Sequence, residues 1–288
     1  MPIRLHEDVG LFREAVGFTA AETTFVPRLI EKDYFCTVLL AYLAAADPAL
    51  VFKGGTSLAK IHADFYRLSE DLDFVIPMPT DASRAKRSAQ AAGLKKAIQS
   101  LEKALPVFRV VEPVTGANGS AQYLASAGYT SLLSGQAETI KIEVGLREPL
   151  LTPIIDGPAR TMLLDPISGQ TMLKPTAVRC ISRIEAFSEK FRAALSRREA
   201  AIRDFYDIDY GVRTLGVKPQ DAELVGFVKQ KLAVPGNSPV DVSEARLKAL
   251  RQQLEPQLRP VLRAADFAGF DLPRAFKTVA EMATTVAN

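Results

Sequence analysis

Asp71 and Asp73 are the residues whose type and spacing first point to chemistry in this chain. They alternate with apolar neighbours in Asp71-Leu72-Asp73-Phe74-Val75-Ile76. That period predicts a strand with both carboxylates on one face and Leu72, Phe74 and Ile76 on the other. Two carboxylates on one face repel each other unless a cation sits between them. Hard oxygen donors of this kind suit magnesium, whose remaining positions go to water and substrate phosphate. Taken alone, the pair is equally the solvated polar face of an edge strand.

A glycine turn precedes the pair. Leu50-Val51-Phe52 is a short apolar run stopped by Gly54-Gly55, and Thr56 and Ser57 then open a segment with helical spacing at Leu58, Ile61 and Phe65. Glycines between a strand and a helix let backbone approach a ligand closely. The helix N-terminus offers free N–H groups to a phosphate, and the hydroxyls of Thr56 and Ser57 add donors. Without further context, the same residues make an ordinary capped strand-to-helix turn. A third acid stands in Thr139-Ile140-Lys141-Ile142-Glu143-Val144, another alternating segment. If this strand lies beside that of Asp71, Glu143 completes a cluster of three carboxylates; otherwise Lys141 neutralises it as a surface pair. Further on, Lys190 and Asp204 are fourteen residues apart, a spacing that returns to one face of a continuous helix. The stretch Ser196 to Glu199 can equally divide that helix in two. Arg179, Arg183, Arg192, Arg197, Arg198 and Arg203 surround the pair and are candidates for an RNA backbone, or for a solvated face paired with Glu185, Glu189 and Glu199. Core packing is the expectation for Phe205, Tyr206 and Tyr210.

A glycine turn, then same-face aspartates, then an acid on a later strand is the order found in nucleotidyltransferases of the DNA polymerase β superfamily. More closely, the sequence resembles the AbiEii/AbiGii toxin family of bacterial nucleotidyltransferases. The resemblance lies in Glu31-Lys32-Asp33-Tyr34, Lys53-Gly54-Gly55-Thr56-Ser57-Leu58, Ser69-Glu70-Asp71-Leu72-Asp73-Phe74, Lys190 and Arg203-Asp204-Phe205-Tyr206-Asp207-Ile208, over about residues 25 to 210. It implies transfer of a nucleotide from a nucleoside triphosphate (NTP) with release of pyrophosphate, two magnesium ions, and RNA as acceptor, the 3′ end of transfer RNA foremost. It also implies the toxin of a toxin–antitoxin or phage-defence system, with a cognate antitoxin. Carried over by motif, Asp71 and Asp73 bind metal, Gly54, Gly55 and Ser57 contact phosphate, Lys190 holds the triphosphate, and Asp204 is an acid needed for activity. Glu143 departs from the aspartate common at the third position, although glutamate also ligates magnesium.

Other readings stay open at this point. A protein or small-molecule acceptor, or a non-catalytic nucleotide-binding regulator, fits the same motifs. Asp71-Leu72-Asp73-Phe74-Val75 also matches the string of HAD-type phosphatases. That chemistry wants its first aspartate at the end of an apolar strand, whereas Arg67 to Glu70 precede Asp71 here.

The elements that must position these residues fall into three regions. Residues up to Pro48 read as helical. From Ala49 to Pro153 strand signals dominate, with a basic, Ala-rich helix over 82–105 and, over 116–135, turns around a short strand. From about Leu173 helices return, with Lys174-Pro175-Thr176 read as a helix opening. The expected fold is α+β: a small mixed β-sheet core flanked by helices over residues 1–155, and a mainly helical C-terminal domain over 156–288. Hydrophobic residues at 48% are ample for a core, and a net charge of +3 does not by itself announce a nucleic-acid binder. Cys36 and Cys180 sit in apolar contexts that predict buried thiols, and with His6 and His62 they lack the spacing of a zinc site. With no signal-peptide h-region and no membrane-length apolar run, a cytoplasmic protein without membrane association is expected.

Overall fold

The computed structural model describes residues 3–287, which divide into two compact units. One comprises the chain up to Leu150 together with Ile154–Ile181; the other comprises Leu151–Pro153 and the chain from Ser182.

The first unit opens with α1 (Val9–Thr23) and α2 (Pro27–Ala46), which are separated where Thr24 turns left-handed and Pro27 starts the new helix. A short strand, β1 (Val51–Lys53), leads through Gly54 into the single turn α3 (Gly54–Ser57), whose helical path continues to His62. Strand β2 (Leu72–Val75) follows. The expected helix over 82–105 is three pieces, α4 (Arg84–Gln90), α5 (Ala92–Gln99) and α6 (Leu101–Ala104). Three long strands come next: β3 (Arg109–Ala117), β4 (Gln122–Thr130) and β5 (Ala137–Gly145). The last two strands are β6 (Ile155–Ala159) and β7 (Thr176–Cys180).

All seven strands form one mixed sheet in the order β3-β4-β5-β2-β1-β7-β6. The segment 116–135, expected to hold only a short strand among turns, supplies the whole of β4, which is paired on both sides. Its small residues Ala125, Ser126, Ala127 and Gly128 weaken the periodic signal but suit a crowded central strand. Turns occupy only 118–121, where Asn118, Gly119 and Ser120 all have positive φ, and the β4–β5 connection from Ser131, where Gly135 does. The helix opening expected at Lys174-Pro175-Thr176 is likewise corrected. Thr176–Cys180 is a strand that pairs parallel to β1, Phe52 opposite Cys180, and antiparallel to β6. An open strand edge at β1 decides the matter, since an alternating segment beside it satisfies the backbone groups of both. β6, with Pro158 inside it, lies at the sheet edge, where a missing N–H costs least. The sheet therefore continues past residue 155.

Leu72, Phe74, Ile142 and Val144 point from the central strands into a core shared with α2, which is buried along most of its length. Phe35 of α2 stacks on Tyr129 of β4 with centroids 4.1 Å apart. Cys36 and Cys180 are buried free thiols, and burial pushes them up to about 12 and about 11.

The second unit is helical: α7 (Arg183–Ser196), α8 (Ile202–Thr214), α9 (Ala222–Ala233), α10 (Glu244–Gln253), α11 (Ala264–Ala268) and α12 (Leu272–Ala287). Ser182 caps α7 by accepting from the Glu185 N–H, at the Ser-x-x-Glu spacing of a capping box. Phe205 packs on Phe276 and Tyr206 on Phe270, so both rings belong to this unit's core. Among the described residues no helix is long and apolar enough to cross a membrane.

Candidate active site

Residue types in β1, β2 and β5 meet in register. Lys53 pairs with Asp73, and Asp73 pairs with Glu143 on its other side. Directly paired residues on neighbouring strands share a face, so these three side chains emerge together, opposite the apolar face of Phe52, Phe74 and Val144. The conditional placement of Glu143 is therefore met for Asp73. Asp71 stands just before β2, next to Leu72. Among the described residues no three His, Cys, Asp or Glu side chains gather as a metal cluster, so the trio of Asp71, Asp73 and Glu143 is not assembled as one. Glu143 Oε1 instead accepts from Gln122 Nε2 at 2.8 Å, and Gln122 Oε1 accepts from Asn118 Nδ2 at 3.1 Å. Gln122 lacks any sequence signature and is the site residue that sequence reasoning misses.

The two glycines serve the chain's own side chains. Gly54 has φ +77°, and a Cβ there would lie 2.2 Å from Asp73 Oδ2. A Cβ on Gly55 would lie 2.4 Å from an Arg67 guanidinium nitrogen. The turn thus brings the start of α3 against a carboxylate, while buried Arg67 fills the space over Gly55. Thr56, expected to donate to phosphate, is otherwise engaged, because its hydroxyl donates to the Asp71 carbonyl and ties the turn to the acidic segment. Ser57 Oγ is buried and has no hydrogen-bond partner among the described residues.

The segment Glu31-Lys32-Asp33-Tyr34 acquires a structural meaning. All four side chains are buried on α2, yet each is polar and each is satisfied by a different part of the unit. Glu31 accepts from the Ser131 hydroxyl and the Leu132 N–H, at 2.6 and 2.7 Å. Lys32 donates to Glu70, the neighbour of Asp71, at 2.8 Å. Asp33 takes the Lys60 ammonium at 2.5 Å, with the Thr161 hydroxyl and the Met162 N–H on its other oxygen. Tyr34 Oη meets His6 Nδ1 at 2.8 Å. Desolvation pushes the Tyr34 phenol up to about 12 and lowers His6. One helix thereby holds both the segment after the glycine turn, through Lys60, and the loop before Asp71, through Glu70. A periodicity search cannot see this, since four consecutive polar residues on a helix look like a solvated turn.

In the second unit, Lys190 bridges two carboxylates of α8: Asp204 Oδ1 at 2.8 Å and Asp207 Oδ2 at 2.7 Å. Arg197 approaches the other Asp204 oxygen at 3.3 Å. The two-helix alternative for Lys190 and Asp204 is the one adopted, with the break at 197–201. Asp207, one turn beyond Asp204, was legible as part of the motif but not as Lys190's partner.

Two in-register acids on a mixed sheet, the second of them tied to a turn at the strand end, with a glycine turn packed on the first, suit metal-assisted phosphoryl chemistry. Both are hard oxygen donors of the kind a divalent cation takes, and Gly54 leaves the space that the Asp73 carboxylate occupies. Solved structures share this fold. JHP933 from Helicobacter pylori is 14% identical, with 91% of this chain and 93% of that chain covered at a TM-score of 0.53. A putative nucleotidyltransferase from H. pylori is 15% identical, with 91% and 96% covered at 0.51. MenT4, a nucleotidyltransferase toxin from Mycobacterium tuberculosis, is 20% identical, with 88% and 92% covered at 0.52. No curated protein matches by sequence. The match of residues 38–281 to a nucleotidyltransferase sequence model makes the protein a nucleotidyltransferase. That model is of the nucleotidyl transferase AbiEii toxins of type IV toxin–antitoxin systems, and the chain belongs to that family.

Proposed function

We propose that this toxin moves a nucleotide from an NTP to RNA in the cytoplasm, with the 3′ end of transfer RNA as acceptor, and that it depends on magnesium and is restrained by a cognate antitoxin. The observation that carries the reading is the register of Lys53, Asp73 and Glu143 on one sheet face, with the Asp73 carboxylate lodged against Gly54. Asp71 and Asp73 would hold two magnesium ions, with Glu143 beside them as ligand or base. Bound there, magnesium supplies Lewis acidity and charge neutralisation at the phosphates. Gly54, Gly55 and the otherwise unsatisfied Ser57 hydroxyl would contact phosphate, whereas Thr56 acts through the Asp71 carbonyl. An acceptor hydroxyl forms the new bond to the α-phosphorus as the bond to pyrophosphate breaks. Lys190 is assigned to the triphosphate, and Asp204 to activity, on the motif resemblance; Asp204 and Asp207 also fix the lysine's position.

Incubation with each labelled NTP, magnesium and total bacterial RNA tests the proposal. The label is expected in transfer RNA from at least one nucleotide, and to vanish on chelation. In the same assay Lys190→Ala raises the KM for the triphosphate and lowers kcat. Label only in protein or a small molecule would overturn the RNA acceptor, and undiminished activity in chelator would overturn the metal.

A further inference from the structure

The basic segment after Thr80 has no part in the site above. From Arg84 to Leu101 the sequence carries Arg84, Lys86, Arg87, Lys95 and Lys96 and no acid. In the fold this segment is α4 and α5, and with the β3–β4 turn it forms an open cleft of about 400 Å³. Arg84, Ser88 and Lys95 line one side, and Asn118, Ser120 and Tyr123 the other. Among the described residues no carboxylate lines the cleft, and neither Arg84 nor Lys95 is in an ion pair. Lys95 is steered inward, its ammonium 3.4 Å from Ser88 Oγ and 5.1 Å from the centre of the Tyr123 ring. Burial alone would raise the Tyr123 phenol, but the Ser120 and Ser88 hydroxyls and the charges of Lys95 and Arg84 outweigh it and hold it below its usual value. Cations gathered in a concavity without counter-charge repel one another until an anion enters.

The larger cleft of the second unit, about 730 Å³, shows the contrast. It is also arginine-rich, but Glu199 and Asp241 line it too, and Arg246 pairs with Asp241 at 3.1 Å. Its two acids offset part of the charge of its three arginines. The α4–α5 cleft is different, and the further cations Lys86, Arg87 and Lys96 stand on the same two helices. Five cations with no acid over one stretch fit a polyanion better than a single triphosphate. The cleft is also held to the carboxylate strand, since Asn118 in its wall donates to Gln122, which donates to Glu143.

We propose that the cleft between α4, α5 and the β3–β4 turn binds backbone phosphates of the acceptor nucleic acid, with Arg84 and Lys95 as its principal cations. The proposal rests on the RNA-acceptor reading for its partner, but its test needs no nucleotide transfer. Fluorescently labelled bulk bacterial transfer RNA is titrated with wild type and with an Arg84→Gln/Lys95→Gln double variant across a range of salt. Each lost phosphate contact lowers the slope of log affinity against log salt by about 0.7–0.9. The double variant is therefore expected to bind roughly tenfold more weakly, with a slope shallower by about 1.5, and to keep wild-type affinity for a fluorescent NTP. Arg259→Gln, which removes a cation paired with Glu255, should leave all three unchanged. Unchanged RNA affinity and slope in the double variant would overturn the proposal, as would wild type showing no salt-dependent RNA binding. Loss of NTP binding with RNA binding intact would reassign the cleft to the triphosphate. RNA that binds through the cleft but is never extended would sink the transfer reading and leave this one standing.

Discussion

Gly54 and Asp73 are interdependent. The residue at 54 must accept φ +77° and leave the space that the Asp73 carboxylate occupies, which only glycine does without strain. Gly54→Ala therefore forces both a left-handed alanine and a clash. It is expected to cost about 1–3 kcal/mol of stability and to move the carboxylate, so activity should fall further than the melting temperature suggests. Asp73→Asn is the complementary change. It keeps the shape and removes the charge, so the fold should survive while kcat/KM drops on the order of a thousandfold, the equivalent of several kcal/mol of lost metal stabilisation. Thermal melts alongside pyrophosphate release separate the two variants. Full activity in Asp73→Asn would remove this residue from the proposed metal site. The alternation around Asp73 can be read from the chain because its period is local, although Asp71 falls just before β2. That Glu143 faces Asp73 depends on a strand pairing between distant segments, so sequence can state it only as a condition.

Helix α2 works as an internal scaffold, and its polar motif shows where sequence reading stops. The sheet-and-helix class, β2 and β5 follow from alternation. Strand β7 does not, since Pro175 and the apolar spacing of Val178, Ile181 and Ile184 imitate a helix start until the open edge of β1 is in place. The Lys60–Asp33 contact is invisible for a related reason: the two residues lie on separate elements, and each looks like a surface charge. Both are in fact almost wholly buried, at 0% and 3% exposure, so neither can lose its partner cheaply. Lys60→Met strands a buried carboxylate and should cost about 3–5 kcal/mol. Adding Asp33→Asn removes the stranded charge while keeping an acceptor for Thr161 and Met162, so the double variant should recover part of the loss in denaturant titrations. If the double variant is no more stable than Lys60→Met alone, packing around the lysine stem, rather than charge, sets the cost.

For the whole molecule, the consequence to be tested is growth arrest, and whether it depends on the carboxylate register in the first unit. Membership in the AbiEii toxin family makes toxicity the expected phenotype, but family membership does not say which property of the chain causes it. Two causes are physically distinct. A nucleotidyltransferase that modifies an RNA pool shared by all translation is catalytic, so few copies suffice. A protein that merely sequesters RNA on a basic surface must approach the abundance of its target, because each copy occupies only one molecule. Induced expression in a bacterial host lacking the antitoxin should arrest growth even at low induction, and Asp73→Asn at equal soluble levels should not. The Arg84→Gln/Lys95→Gln variant should fall between them, since weaker RNA binding slows an intact catalyst without abolishing it. Colony counts and growth curves at graded inducer, with protein levels measured in each culture, read out the order. Equal arrest by wild type and Asp73→Asn would make sequestration the cause and catalysis irrelevant to it. Harmless expression of soluble wild type that is active in vitro would mean that the acceptor in the host is something other than a shared RNA.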